Sequence, residues 1–142
     1  MSTQLAKVVW QGQRKFTGTS DSGFDVLMDG RSADSGPREA ASPMELIALG
    51  LGGCSSVDVV SILEKKRLQI SACSVDIQTT RATRVPAVFT HMHLNFVITG
   101  KNIPEKAVNQ AVTLSADKYC SVVQMLQAGG VEITHGFEII DV

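Results

Sequence analysis

At 142 residues the chain has the length of one domain, 1–142, which buries roughly 70% of the surface that its unfolded form exposes and needs no disulfide or metal for stability. Thirteen basic against fourteen acidic side chains leave a formal charge of −1, which gives no field to draw in nucleic acid or an anionic membrane. Three cysteines without C-x-x-C spacing fit a reducing compartment; with no signal-peptide pattern in MSTQLAKVVWQGQR and no uncharged apolar run near about 18 residues, a soluble cytoplasmic protein is expected.

Residues 5–10 and 24–28 are predicted as the first strands, because Val8 and Trp10 alternate with polar neighbours and Thr19 to Gly23 supplies a turn. Asp29 to Ala41 (DGRSADSGPREAA) has no apolar periodicity and reads as a loop or mobile crossing segment. At Ser42-Pro43-Met44-Glu45 a helix begins: Ser as N-cap, Pro at the first helical position and Glu three residues on to close a capping box. This helix is expected to run to about Lys66, with Lys65-Lys66-Arg67 complementing its negative end. Leu46 to Val57 carries no charge, which implies burial on most sides, whereas Asp58, Ser61 and Lys65 mark a wet face.

Alternation returns from Ser71 to Thr83, with Cys73, Val75 and Ile77 on one face, and again from Phe89 to Thr99; Arg84-Val85-Pro86 joins the two as a hairpin. Pro104 to Leu114 reads as a helix with Ala107, Val108, Ala111 and Val112 as its apolar stripe. Cys120 to Ala128 reads as another, ending at Gly129-Gly130, and a strand from Val131 to Ile140 closes an α+β domain.

Three glycines, Gly50, Gly52 and Gly53, would each cost the long helix about 1 kcal/mol relative to Ala. Gly50, Gly53 and Cys54 share one face, so a helix, strand or ligand can come near the backbone beside the thiol. Cys54 lies about three turns into the helix, beyond the positive end of its dipole, and taken locally reads as buried filler. If Asp117 or Ser115 caps the next helix, Cys120 falls near its first turn, where unpaired N–H groups favour a thiolate. Cys73 reads as filler on an apolar strand face. His91 and His93 lie on the polar side of their strand and His135 on an apolar face, so a shared metal is not expected. Without a phosphate-binding glycine loop, a dinucleotide fingerprint or H-E-x-x-H, no cofactor is expected either.

The stretch Ser42-Pro43-Met44-Glu45-Leu46-Ile47-Ala48-Leu49-Gly50-Leu51-Gly52-Gly53-Cys54, joined to Ala116-Asp117-Lys118-Tyr119-Cys120-Ser121-Val122, resembles the OsmC/Ohr superfamily of thiol peroxidases, most closely its YhfA-like branch. The resemblance runs through essentially the whole chain. It implies an OsmC-like fold, a curved antiparallel sheet wrapped around a long central helix in an intertwined homodimer, with a site at each end of the interface. It further implies that Cys54 attacks an organic hydroperoxide, or hydrogen peroxide, that Cys120 condenses with the resulting sulfenic acid to a disulfide, and that an external dithiol reductant resets the pair.

The family's peroxidases carry a Glu directly after the helix proline, paired with an Arg that activates the thiol. Here Met44 occupies that position and Glu45 follows. The implied catalytic set is Cys54, Cys120, Arg14 and Glu45, with Arg31 and Arg38 as other sources of the cation and the capping box as the structural account of Glu45. The Pro that commonly follows the resolving cysteine is Ser121. Two functions follow: a cysteine-based peroxidase in oxidative stress defence, or, since Met44 replaces the expected Glu, a non-catalytic module that binds a hydrophobic small molecule in the dimer cleft.

Overall fold

A computed structural model describes all 142 residues and divides them into two compact units, Met1–Ile47 and Ala48–Val142. In the first, β1 (Lys7–Trp10), β2 (Lys15–Thr19) and β3 (Asp25–Asp29) form an antiparallel meander in the order β1-β2-β3. The sequence reading missed β2. Its segment, KFTGT, carries one large apolar side chain, and its strand character comes from pairing on both sides, Phe16 opposite Trp10 and Met28. The turn into it uses Gly12 at φ 99°, which glycine adopts without strain, followed by Gln13 at φ 54°.

The segment after β3 is irregular except for one 3₁₀ turn at Ala33–Ser35, as expected of a loop, but it is firmly tied. The fully buried Asp29 carboxylate accepts hydrogen bonds from Arg31 Nη2 at 2.7 Å, from the Arg31 amide at 3.0 Å and from the Glu39 amide at 2.9 Å. The predicted capping box is present: Ser42 Oγ accepts the Glu45 amide at 3.2 Å, and Glu45 Oε1 accepts the Ser42 amide at 2.9 Å. It opens α1 (Pro43–Lys65) within one residue of the expected bounds.

The second unit holds most of α1, then β4 (Ile70–Arg81), β5 (Phe89–Gly100), α2 (Glu105–Leu114), α3 (Ser121–Ala128) and β6 (Glu132–Asp141), with its sheet ordered β4-β5-β6. The expected alternation holds on β5, where Met92, Leu94, Phe96 and Ile98 are buried and point into a core shared with Leu51, Val59 and Leu63 of α1 and Val108, Ala111 and Val112 of α2. Each of these side chains other than Ala111 contributes about 1.5 to 3 kcal/mol. β4 and β5 pair antiparallel, but β5 and β6 pair in parallel, with Phe96 opposite Phe137. The implied antiparallel sheet is therefore mixed at one edge. The excursion through α2 and α3 makes this possible, since parallel neighbours require a crossover of a dozen or more residues.

Two expectations for α1 are corrected. Its uncharged half is not buried on most sides: Leu49 is 61% and Val57 69% exposed, while Leu51, Val59 and Leu63 form one buried stripe. By length and composition alone α1 is also apolar enough to cross a membrane. The close approach falls at Gly52 rather than at Gly50 and Gly53. A Cβ on Gly52 would lie 2.6 Å from Ile77 Cδ1 and 3.2 Å from Val75 Cγ1 on β4, whereas Gly50 and Gly53 face open space.

Candidate functional site

Cys54 and Cys120, 66 residues apart in sequence, come together in the second unit. Cys54 sits half-buried on α1, and Cys120 is fully buried; both thiols are free. The path to Cys120 differs from expectation. Neither Asp117 nor Ser115 caps α3. Instead α2 runs into a wide π-helical turn over Ser115–Tyr119, closed by the Cys120 amide donating to the Ser115 carbonyl at 2.8 Å, and Cys120 is itself the N-cap residue.

Three contacts fasten this turn to α1. Ser115 Oγ donates to Asp58 Oδ2 at 3.0 Å and lies 3.2 Å from the Ser55 carbonyl, and Ser55 Oγ lies 3.3 Å from Cys120 Sγ. Ser55 and Ser115 are each 1% exposed. Burial pushes the Cys120 thiol pKa up, and the adjacent Cys54 pushes it the same way; the Ser55 hydroxyl and the Val123 N–H oppose them without prevailing. Of the first-turn amides that sequence reading expected to favour the thiolate, that of Val123 acts, but desolvation outweighs it. Cys73, half-buried on β4, is likewise pushed up by burial alone.

The cationic candidates separate within the first unit. Arg31 is committed to the buried Asp29. Arg14 donates to its neighbour's carbonyl, Gln13 O, at 3.1 Å and pairs with no carboxylate. Arg38 Nη1 meets Glu45 Oε1 at 3.1 Å, and Arg38 Nε donates to the Arg31 carbonyl at 2.7 Å. Hydrogen bonds from Ser42 and the Arg38 charge hold the Glu45 carboxyl below its usual range. Glu45 is thus both cap and ion-pair partner.

The histidines do not converge: His91 Nε2 lies 3.0 Å from Glu132, His93 Nδ1 lies 2.6 Å from Thr134 Oγ1, and His135 is on β6. No three potential metal-ligating side chains cluster anywhere in the chain. A cleft of about 570 Å³ is lined by Asp58, Ser61, Lys65, Lys66, Gln110 and Tyr119, with neither cysteine on its wall. A second groove, about 440 Å³ and largely apolar, runs along α1 past Gly53, Val57 and Val60, and Cys54 is not among the residues that line it. Sequence reading overlooked Ser55. The only available signal was a polar pair three residues apart, Ser55 and Asp58, on one face of an otherwise apolar stretch.

The OsmC-like protein family model matches residues 35–136. The protein YhfA of Escherichia coli K12 is 45% identical over 135 residues, covering 95% of this chain and 97% of its own length. Among solved structures, an OsmC-like protein from Mycoplasma pneumoniae superposes with a TM-score of 0.82 at 15% identity, over 98% of each chain. An organic hydroperoxide resistance protein from Elizabethkingia anophelis superposes with a TM-score of 0.72 at 14% identity, over 100% of this chain and 98% of that one.

Proposed function

Because the chain belongs to the OsmC-like protein family, we propose that it is a cysteine-based peroxidase that reduces organic hydroperoxides and hydrogen peroxide in oxidative stress defence. The observation that carries the reading is a half-buried Cys54 beside a fully buried Cys120 on a separate element. Cys54 attacks the terminal peroxide oxygen and becomes a sulfenic acid while the alcohol leaves; Cys120 then displaces water to form the disulfide, and an external dithiol restores both thiols. Burial keeps Cys120 protonated and unreactive toward peroxide, which suits a resolving thiol better than an attacking one.

The activating pair in this reading is Arg38 with Glu45, since Arg31 is held by Asp29 and Arg14 has no acidic partner. The chain acts as one domain in a homodimer in the cytoplasm, without cofactor, metal, membrane or nucleic acid. Exposed Leu49 and Val57 on α1, and Trp10 and Phe24 in the first unit, supply apolar surface for the second copy. Reduced protein mixed with one equivalent of cumene hydroperoxide gives a Cys54–Cys120 disulfide in non-reducing peptide mass spectrometry, and Cys54→Ser abolishes peroxide consumption. Wild-type protein that keeps both thiols free under excess peroxide would exclude the reading.

The apolar groove along α1, with Met44 in place of the family's Glu, supports a second reading, a non-catalytic module for a hydrophobic small molecule. Native mass spectrometry of freshly purified protein separates the two: a co-purifying ligand whose retention survives Cys54→Ala supports the module.

A further inference from the structure

We infer that Ser55 is a catalytic residue of the resolving step: its hydroxyl donates to the Cys120 thiolate and aims that sulfur at the oxidised Cys54. The inference rests on the peroxidase reading above and adds to it a group that the cysteine pair does not supply.

Ser55 follows Cys54 directly on α1, and its Oγ lies 3.3 Å from Cys120 Sγ, the sole hydrogen-bond partner of that buried hydroxyl. Once Cys120 ionises, the sulfur can only accept, so the proton of this hydrogen bond belongs to Ser55. No Lys, Arg or His acts on Cys120, and a thiolate in a fully buried position must be stabilised by neutral donors. Ser55 O–H and Val123 N–H are the two that act on it. The contact is also held in place. Ser115 bonds to Asp58 and reaches the Ser55 carbonyl, and the Cys120 amide bonds to the Ser115 carbonyl, so the turn bearing Cys120 is fastened to the helical residue that faces its sulfur.

In the step itself, Cys120 loses its proton and its sulfur lone pair forms the S–S bond to Cys54. The Cys54 S–O bond breaks, and the departing hydroxide takes up one proton and leaves as water. Ser55 keeps its own proton throughout. When the external dithiol attacks Cys54, Cys120 leaves as the thiolate to the same hydroxyl, and a stabilised thiolate leaves faster.

Single-turnover oxidation with cumene hydroperoxide tests this. In Ser55→Ala the ratio of the disulfide-forming rate to the sulfenic-acid-forming rate falls about tenfold, as expected for one hydrogen bond to a charged group. More Cys54 is then trapped by dimedone, and the pH midpoint of the resolving step moves up. Ser55→Thr, which keeps the hydroxyl, lies nearer wild type on each measure. An unchanged ratio and midpoint in Ser55→Ala overturns the inference. If wild-type Cys54 resists peroxide altogether, the peroxidase reading fails on its own. The contact is then read by ultraviolet titration of the Cys120 thiolate in a Cys54→Ala, Cys73→Ala background, where adding Ser55→Ala raises the midpoint; an identical midpoint overturns the assignment.

Discussion

Arg38 donates to the same Glu45 oxygen, Oε1, that accepts the Ser42 amide, at 3.1 Å and 2.9 Å respectively. One carboxylate oxygen therefore joins the start of α1 to the arginine proposed as the activating cation, and the two roles are separable by mutation. Ser42→Ala removes the reciprocal half of the cap and is expected to cost about 1 kcal/mol, read as a lower urea midpoint with unchanged slope. Arg38→Ala leaves the cap intact and, both side chains being well exposed, changes stability little. It slows peroxide consumption at least about tenfold, the loss associated with removing a positioned donor to developing charge. Arg14→Ala has the smaller effect on rate; the reverse order reassigns the role to Arg14.

Ser115→Ala deletes the link between the turn before α3 and α1. Ser115 is 1% exposed and its hydroxyl meets both Asp58 and the Ser55 carbonyl, so the expected loss is about 1 to 2 kcal/mol. Hydrogen exchange should rise at Cys120 and Ser115 and stay unchanged on β5. A uniform rise through the whole second unit would mean the link supports the fold rather than this turn.

Gly52→Ala and Gly50→Ala form a matched pair on one helix. Both gain about 1 kcal/mol of helix propensity. At Gly52 the new methyl meets Ile77 and Val75, an overpacking that typically costs 1–3 kcal/mol, so the net change is a loss of up to about 2 kcal/mol. At Gly50 nothing lies within 4 Å of the added atom. Thermal unfolding should rank Gly52→Ala below Gly50→Ala; equal midpoints would show that β4 yields without cost.

Stability should decline at both ends of the pH range. Cys120 and Cys73 have pKa values raised by burial, so the folded state holds their protons more tightly than the unfolded state does. Their contribution is complete below the unfolded thiol value, about 8.5, and is lost as pH rises through the folded values. Asp29, Glu39 and Glu45 have lowered values, so their contribution is complete above about pH 4 to 4.5 and is lost as pH falls through the folded values. Urea midpoints across pH 3 to 10 should show both declines, and Cys120→Ala should flatten the alkaline one.

The parts of this fold that are legible in the sequence are those with local causes. The capping box at Ser42 and Glu45 needs four residues, and the inward side of β5 needs only alternation from Met92 to Ile98. β2 was illegible because Phe16 is a strand residue by virtue of Trp10 and Met28 on either side. The π-helical turn at Ser115–Tyr119 depends on where Asp58 sits, a relation across 57 residues that no spacing announces. The same holds for the meeting of Cys54 and Cys120, which local chemistry left as two unrelated thiols and family resemblance joined. Ser55 was hidden for a further reason: a helical serine is unremarkable until its one partner is a buried sulfur.

The parallel pairing of β6 with β5 sets a timetable for biosynthesis. The connection between these strands carries the turn and Cys120, and it is closed only by residues Glu132–Asp141, which the ribosome makes after both cysteines. Cys54 is made 66 residues before Cys120, a lag of roughly 3 to 13 s at translation rates of about 5–20 residues per second. Throughout that interval the nascent chain carries a thiol whose partner does not yet exist. Slower synthesis lengthens the time for which the first cysteine has no partner.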